Sequence, residues 1–362
     1  MGCLPGKFPG CLESFPENDE IETLTCIQDC YKQILTPYKI KDSLTPTLIL
    51  KQVRLTPSTI SFDELRSKDL PVFRYSLNEL LSATAEIFHQ FNLDKMKLHS
   101  FLDLAQKNYY SNLPFHNFRH CFNVVHTVFV IGERNKGFEV FIGYQDYLFL
   151  LLAALGHDIC HPGLDNSYLI RTKHDLALQY NDQSVLENHH ASVTLMLIRF
   201  SGILGEVDFS YLKEIITSTI LSTDISQHKE VCSTFKRAKT NYNKSKKSSR
   251  LSFMNYFLHC ADSSHHSLDF SQSSLFSLKL IQELNQQESL LELLHTSTPN
   301  SLKLGNDLAK IKNHQVSLIQ NTVLPLWSAL SLFISHCEDY EQSIKDNKDK
   351  WEHLENFIYI NN

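Results

Sequence analysis

The sequence predicts an all-α domain. From residue 76 onward apolar residues recur at helical spacing almost without interruption, and no block alternates apolar and polar residues between Asn-Gly or Asp-Gly turns as hairpins do. No repeat of fixed period emerges, which sets aside a solenoid. The chain of 362 residues, 42% apolar and 20% charged, is long enough to bury a core of full size.

Residues 1–45 are rich in Pro, Gly and acidic residues and read as a partly disordered N-terminal extension, with a short helix over Ile21 to Ile34. Residues 46–362 read as the helical domain. Ser76 and Glu79 make a capping box, after which Leu80, Leu81, Thr84, Phe88 and Phe91 follow at helical spacing. Further helices are expected over 97–109, 117–133, 145–156, 174–180, 187–201, 208–222, 251–262, 273–295 and 314–337. Between two of them, residues 233–252 hold Lys236, Arg237, Lys239, Lys244, Lys246, Lys247 and Arg250 among Ser, Thr and Asn. This reads as a solvated basic loop, with Ser248, Ser249 and Ser252 as candidate phosphorylation sites.

A net charge of −6 gives no general pull toward nucleic acid, so an anionic substrate has to be held by a local device such as bound metal. Nine cysteines without a C-x-x-C pair argue against a disulfide framework and fit a cytoplasmic protein. The longest apolar run, Tyr147 to Leu155, is too short to span a bilayer. Met1-Gly2-Cys3 resembles the start of an acylated chain, which would associate the protein with membrane through lipid at Gly2 or Cys3, although Gly6 stands where Ser or Thr is expected.

The chemistry lies in histidines and aspartates. His116 and His120, four residues apart, share one helix face and can serve one site. At the end of the apolar helix 148–155 come His157 and Asp158, and burying such a pair requires a metal or a full hydrogen-bond network. His161-Pro162-Gly163 then turns the chain and folds a third imidazole back. Glu187 and His189-His190 open another helix, and Asp262 closes one after Phe257 to Ala261. His120, His157, Asp158 and Asp262 together suit a zinc ion, with Asp158 free to bridge to a second, harder ion.

At these residues the sequence resembles the class I cyclic nucleotide phosphodiesterases, a branch of the HD metal phosphohydrolases. The likeness runs over Leu113-Pro-Phe-His-Asn-Phe-Arg-His-Cys-Phe122, Gly156 to Asn166, Tyr180 to His190, Leu221-Ser-Thr-Asp-Ile-Ser-Gln-His228 and His259-Cys-Ala-Asp262, in order. Phe115 before His116 is similar to phosphodiesterase family 9, whose members prefer cyclic GMP. The resemblance implies a compact multi-helix catalytic domain that hydrolyses cyclic GMP or cyclic AMP to the 5′-monophosphate with two divalent ions, zinc at the first site and magnesium or manganese at the second.

By that likeness His120, His157, Asp158 and Asp262 are the metal ligands and His116 is the general acid, supported by a carboxylate such as Glu187. His161, Glu187, His189, Thr223 and Asp224 would orient ligands and waters. Gln315 sits where the family's purine-binding glutamine sits, with Leu280 and Leu318 as the base clamp and Phe115 and Asn166 also lining the substrate site. The resemblance allows a homodimer.

His265 and Phe276 depart from the family's usual Asn and Trp, and Leu318 replaces an aromatic ring that would stack on the base, a contact worth about 0.5–1.5 kcal/mol. A related phosphohydrolase acting on another phosphoester, or a cyclic nucleotide binder without turnover, are the alternative readings.

Overall fold

The computed structural model describes residues 45–294, 304–305 and 307–354. Among them there is no strand. The α-helices are α1 (Phe62–Leu65), α2 (Leu77–Phe88), α3 (Lys95–Lys107), α4 (Phe118–Arg134), α5 (Tyr144–Gly156), α6 (Asn166–Arg171), α7 (Asp175–Gln179) and α8 (Val185–Ser201). They continue with α9 (Phe209–Leu221), α10 (His228–Thr240), α11 (Lys247–Asp262), α12 (Phe270–Leu293), α13 (Leu308–Leu318), α14 (Leu324–Ser331) and α15 (Glu338–Glu352). The expected Gly2 and Cys3 lipid sites and the helix over 21–34 lie outside the described residues.

The central element is α5, in which every residue from Asp146 to Gly156 is buried. A helix apolar on all sides needs neighbours all round, and α4, α8 and α9 pack against it. Each fully buried Leu or Phe there contributes about 1.5–3 kcal/mol. Helix α8 crosses so close to the end of α5 that a Cβ on Gly156 would lie 2.0 Å from Thr194 Oγ1, so only glycine fits. Thr194 Oγ1 donates to the Gly156 carbonyl at 3.1 Å, fixing the point where α5 hands over to His157.

Local signals explain many helix ends. Ser76 caps α2 and exchanges the two capping-box hydrogen bonds with Glu79. Asn117 accepts from the Arg119 N–H at 2.8 Å to start α4, while its own amide donates to the Leu113 and Pro114 carbonyls. The Arg119 guanidinium in turn donates to the carbonyls of Val72 and Tyr75, so the turn ahead of His116 is held from both sides.

Three expectations are corrected. The basic stretch 233–252 is not a loop: α10 and α11 occupy most of it, because Phe235 is buried and Arg250 Nε donates to the buried Asp146 carboxylate at 2.6 Å. Of the three candidate phosphorylation sites there, Ser249 and Ser252 are buried and Ser248 is exposed. The helix expected over 314–337 starts at Leu308 behind the Asp307 cap and loosens into a π turn over Ile319–Val323. Pro325, which has no N–H to bond back along the helix, follows directly. Finally, α15 was not expected, since its buried stripe of Tyr340, Ile344, Asn347 and Trp351 is diluted by charged residues.

Candidate active site

The ends of three helices meet at one point. α5 ends at His157, α11 ends on Asp262, and His120 lies in the first turn of α4. His120 Nε2 lies 3.2 Å from His157 Nε2, 3.3 Å from Asp158 Oδ2 and 3.0 Å from Asp262 Oδ1. His157 Nε2 lies 3.2 Å from Asp158 Oδ2 and 3.4 Å from Asp262 Oδ1. A tetrahedron with its corners about 2.0–2.1 Å from the centre has edges of about 3.3–3.4 Å, so these atoms stand close to the spacing of a four-coordinate zinc site.

The donor set fits a cation in its chemistry as well. His157 Nδ1 faces the Ala154 carbonyl at 2.8 Å, which commits that nitrogen as donor and turns Nε2 toward the centre. Two ring nitrogens and two carboxylate oxygens converging on one point need positive charge there. The C-terminal ends of α5 and α11 add the negative ends of two helix dipoles. Burial opposes ionisation of Asp158 and Asp262, yet the His157 and His120 rings hold both carboxyls well below the usual carboxylate range.

His116 is held differently. Its Nδ1 meets Glu283 Oε1 at 2.9 Å, while Glu283 Oε2 accepts the backbone N–H of His116 at 2.8 Å and that of Phe115. Burial alone would lower the imidazole's pKa. The Glu283 charge and hydrogen bond, with smaller help from Asp158 and Asp262, instead push it up to about 9. The ring stacks on His161 with centroids 3.9 Å apart and planes at 18°. His161 Nδ1 accepts from the Gly163 N–H at 3.0 Å, and burial with the neighbouring His116 keeps that ring neutral by lowering its pKa well below the ordinary histidine value.

Glu283, which sequence reasoning missed, is the carboxylate that meets His116, the place given to Glu187. Glu187 pairs with Asn166, whose amide donates to its carboxylate at 2.9 Å while the Asn166 oxygen accepts the Leu186 N–H at 2.8 Å. Burial first, then the charge of Asp224, raises the Glu187 carboxyl to about 7. The one signal that pointed toward Glu283 was its place on α12, three residues past Leu280, which the sequence reading put in the base clamp.

On α8, beside the expected His189, His190 reaches the His–Asp cluster, with Nε2 3.9 Å from Asp158 Oδ1 and Nδ1 donating to the Ile159 carbonyl at 2.6 Å. The His189 ring is buried and lies 6.1 Å from that of His190. Asp224 is buried and accepts from Ser184 Oγ at 2.6 Å, and Thr223 Oγ1 donates to the Ile220 carbonyl at 2.8 Å.

Of the base-site residues, Gln315 is buried and its side-chain oxygen has no hydrogen-bond partner among the described residues. Leu280 and Leu318 are half-buried. Phe115 packs 4.4 Å from the His120 ring and 5.4 Å from His265, tying the base side of the site to the metal side. Burial, with the neighbouring His266, lowers the His265 pKa well below the ordinary value.

The fold is all-helical, and the cluster joins its residues in the order His…His-Asp…Asp. More narrowly, the chain belongs to the 3′5′-cyclic nucleotide phosphodiesterase family, which matches residues 115–344. It is similar to the 3′,5′-cyclic-nucleotide phosphodiesterase regA of Dictyostelium discoideum, 26% identical over 302 residues that cover 80% of this chain and 38% of that protein. It is 27% identical over 313 residues to the human high affinity cGMP-specific 3′,5′-cyclic phosphodiesterase 9A, covering 83% of this chain and 52% of the other. The chain thus spans about half or less of the length of these curated relatives. The phosphodiesterase domain of Salpingoeca rosetta rhodopsin phosphodiesterase superimposes with a TM-score of 0.75 at 27% identity, over 82% of this chain and 95% of that one.

Proposed function

We propose that the protein hydrolyses a 3′,5′-cyclic nucleotide, cyclic GMP or cyclic AMP, to the nucleoside 5′-monophosphate. The observation that carries this reading is the pairing, in one site, of the His120, His157, Asp158 and Asp262 cluster with a separate imidazole, His116, held protonated by Glu283. The four clustered residues would hold the first divalent ion, zinc, and Asp158 would reach a second, magnesium or manganese, beside the acidic Glu187 and Asp224. When bound, such ions neutralise the phosphodiester's charge and activate the attacking water.

This chain's own residues do the rest. His116 keeps its Nδ1 proton on Glu283 and presents Nε2–H to the departing O3′, so that the leaving oxygen departs as a hydroxyl. His161, stacked on His116, limits the ring's rotation. The unpartnered oxygen of Gln315 accepts a hydrogen bond from the purine edge, and Leu280 and Leu318 enclose the base by apolar contact. In this reading residues 46–362 form the catalytic domain and act in the cytoplasm.

The test is turnover of cyclic GMP and cyclic AMP by purified protein, with the product identified as the 5′-monophosphate and the base preference read from kcat/KM. A Gln315→Ala variant should raise KM for the preferred nucleotide by about 5- to 10-fold, the loss of one hydrogen bond. An unchanged KM would remove Gln315 from the base site.

A further inference from the structure

Helices α5, α9 and α11 begin at one place. Asp146, in the first turn of α5, is buried. Arg250, near the start of α11, donates from Nε to Asp146 Oδ2 at 2.6 Å. Tyr211, in the first turn of α9, donates its hydroxyl hydrogen to Asp146 Oδ1 at 2.8 Å and accepts from a second guanidinium nitrogen of Arg250, also at 2.8 Å. The third nitrogen of Arg250 donates to the Lys244 carbonyl at 2.8 Å.

The same three helices end at the site. His157 and Asp158 follow directly on α5, Thr223 and Asp224 come just after α9, and Asp262 is the last residue of α11. Asp146 stands eleven residues before His157, Tyr211 twelve before Thr223, and Arg250 twelve before Asp262. At 1.5 Å per residue each span comes to roughly 17–18 Å, so one triad sits at the foot of three nearly equal arms that run the same way.

Apolar burial holds these helices together without fixing how far each stands along its axis, because it is non-directional. α5 is Leu or Ala over most of its length, and α9 packs against both α5 and α11. The seam between α9 and α11 is partly polar, with Asn255 Nδ2 donating to Ser218 Oγ at 2.9 Å and an exposed Lys247–Glu214 pair at its start. Charge-assisted hydrogen bonds are short and strict in geometry. The triad joins all three helices through such bonds and through the Tyr211 hydroxyl.

We propose that Asp146, Tyr211 and Arg250 are positioning residues for the hydrolytic site. From the far ends of the helices they set the axial register of α5, α9 and α11, and with it the height at which His157, Asp158, Asp224 and Asp262 meet. None of the three touches the reacting atoms. A buried ion pair gives little stability beyond that of apolar residues of the same volume, and here it acts instead by admitting one register. The inference deepens the hydrolytic reading and rests on it for the role of the site, while the register itself is independent of that reading.

The experiment replaces the triad in the full chain by apolar side chains of similar size, Asp146→Leu/Tyr211→Phe/Arg250→Met, with Tyr211→Phe alone as the milder variant. Lys247→Met, which breaks the exposed pair with Glu214 at the same end, is the control. The thermal midpoint of the triple variant should match or exceed the parent's. Its crystal structure should show Asp262 displaced against His157 by about 1 Å, and turnover at saturating metal should fall by about 10²-fold. KM should hardly change, since Gln315 and Leu280 lie on α13 and α12, which carry none of the triad. Affinity for Zn²⁺, titrated into chelated protein, should fall about tenfold. Tyr211→Phe should lose about fivefold in turnover, again with KM unchanged. Lys247→Met should match the parent throughout. A triple variant with the parent's register, metal affinity and turnover overturns the proposal; should it not fold, Tyr211→Phe with full metal affinity and turnover does the same. A parent that neither binds metal nor hydrolyses cyclic nucleotide counts against the phosphodiesterase reading, while the place of Asp262 against His157 in the two crystal structures still decides the register.

Discussion

Replacing Glu283 by Gln removes the charge that keeps His116 protonated while changing the side chain's volume little. His116 is held up to about 9 by that charge against the opposing effect of burial. Without it, the ring should titrate no higher than the ordinary histidine value of about 6.5. At pH 7.5 the protonated fraction then falls from nearly all to about one tenth, and at pH 8.5 from about three quarters to about one hundredth. Because the folded-state pKa is raised, the acid form is present below pH 9 and lost above it. The substitution should therefore move the alkaline limb of the rate profile down by about two units or more. Initial rates of cyclic nucleotide hydrolysis between pH 6 and 9.5, with metal content and thermal midpoint measured on the same samples, read this directly. A loss that is equal at every pH, or an alkaline limb that does not move, would refute the electrostatic role given to Glu283.

Asp262→Ala and His120→Ala should each lose metal and activity together, because each removes a ligand from a converging set; a variant with full metal content and turnover would contradict the ligand assignment. His116→Ala should keep its metal and lose about 10²–10⁴-fold in turnover on the natural substrate. On a nitrophenyl phosphodiester, whose leaving oxygen hardly needs a proton, the loss should shrink, and equal losses on both substrates would show that His116 is not the acid. Gly156→Ala should destabilise the fold by about 1–3 kcal/mol, since its Cβ would meet Thr194 Oγ1 at 2.0 Å. A thermal midpoint unchanged in a calorimetric scan would mean that α5 and α8 can part without cost.

The helical class and the convergence of the His–Asp cluster were legible in the sequence because their signals are local. His120, His157, Asp158 and Asp262 each sit at a helix end whose pattern the sequence shows, and the Ser76–Glu79 box marks α2 unaided. Glu283 was not legible in this way. Its partner His116 is 167 positions away, and a single acid on a long helix looks like any solvated charge until folding buries it. Arg250 misled for the same reason: its partner Asp146 is 104 positions off, so a basic run read as a loop proved to be anchored helix. The approach of His190 to Asp158 was not legible either, because two adjacent histidines in sequence do not set the rotational phase of α8.

The measurement that tests the central claim most directly is hydrolysis of cyclic GMP and cyclic AMP by the purified protein before chelation, after chelation, and after Zn²⁺ with Mg²⁺ or Mn²⁺ is restored. The account predicts 5′-monophosphate as product, activity abolished by chelation, and recovery on adding metal back. Turnover that survives removal of metal, or metal-loaded protein that hydrolyses neither nucleotide, would contradict it.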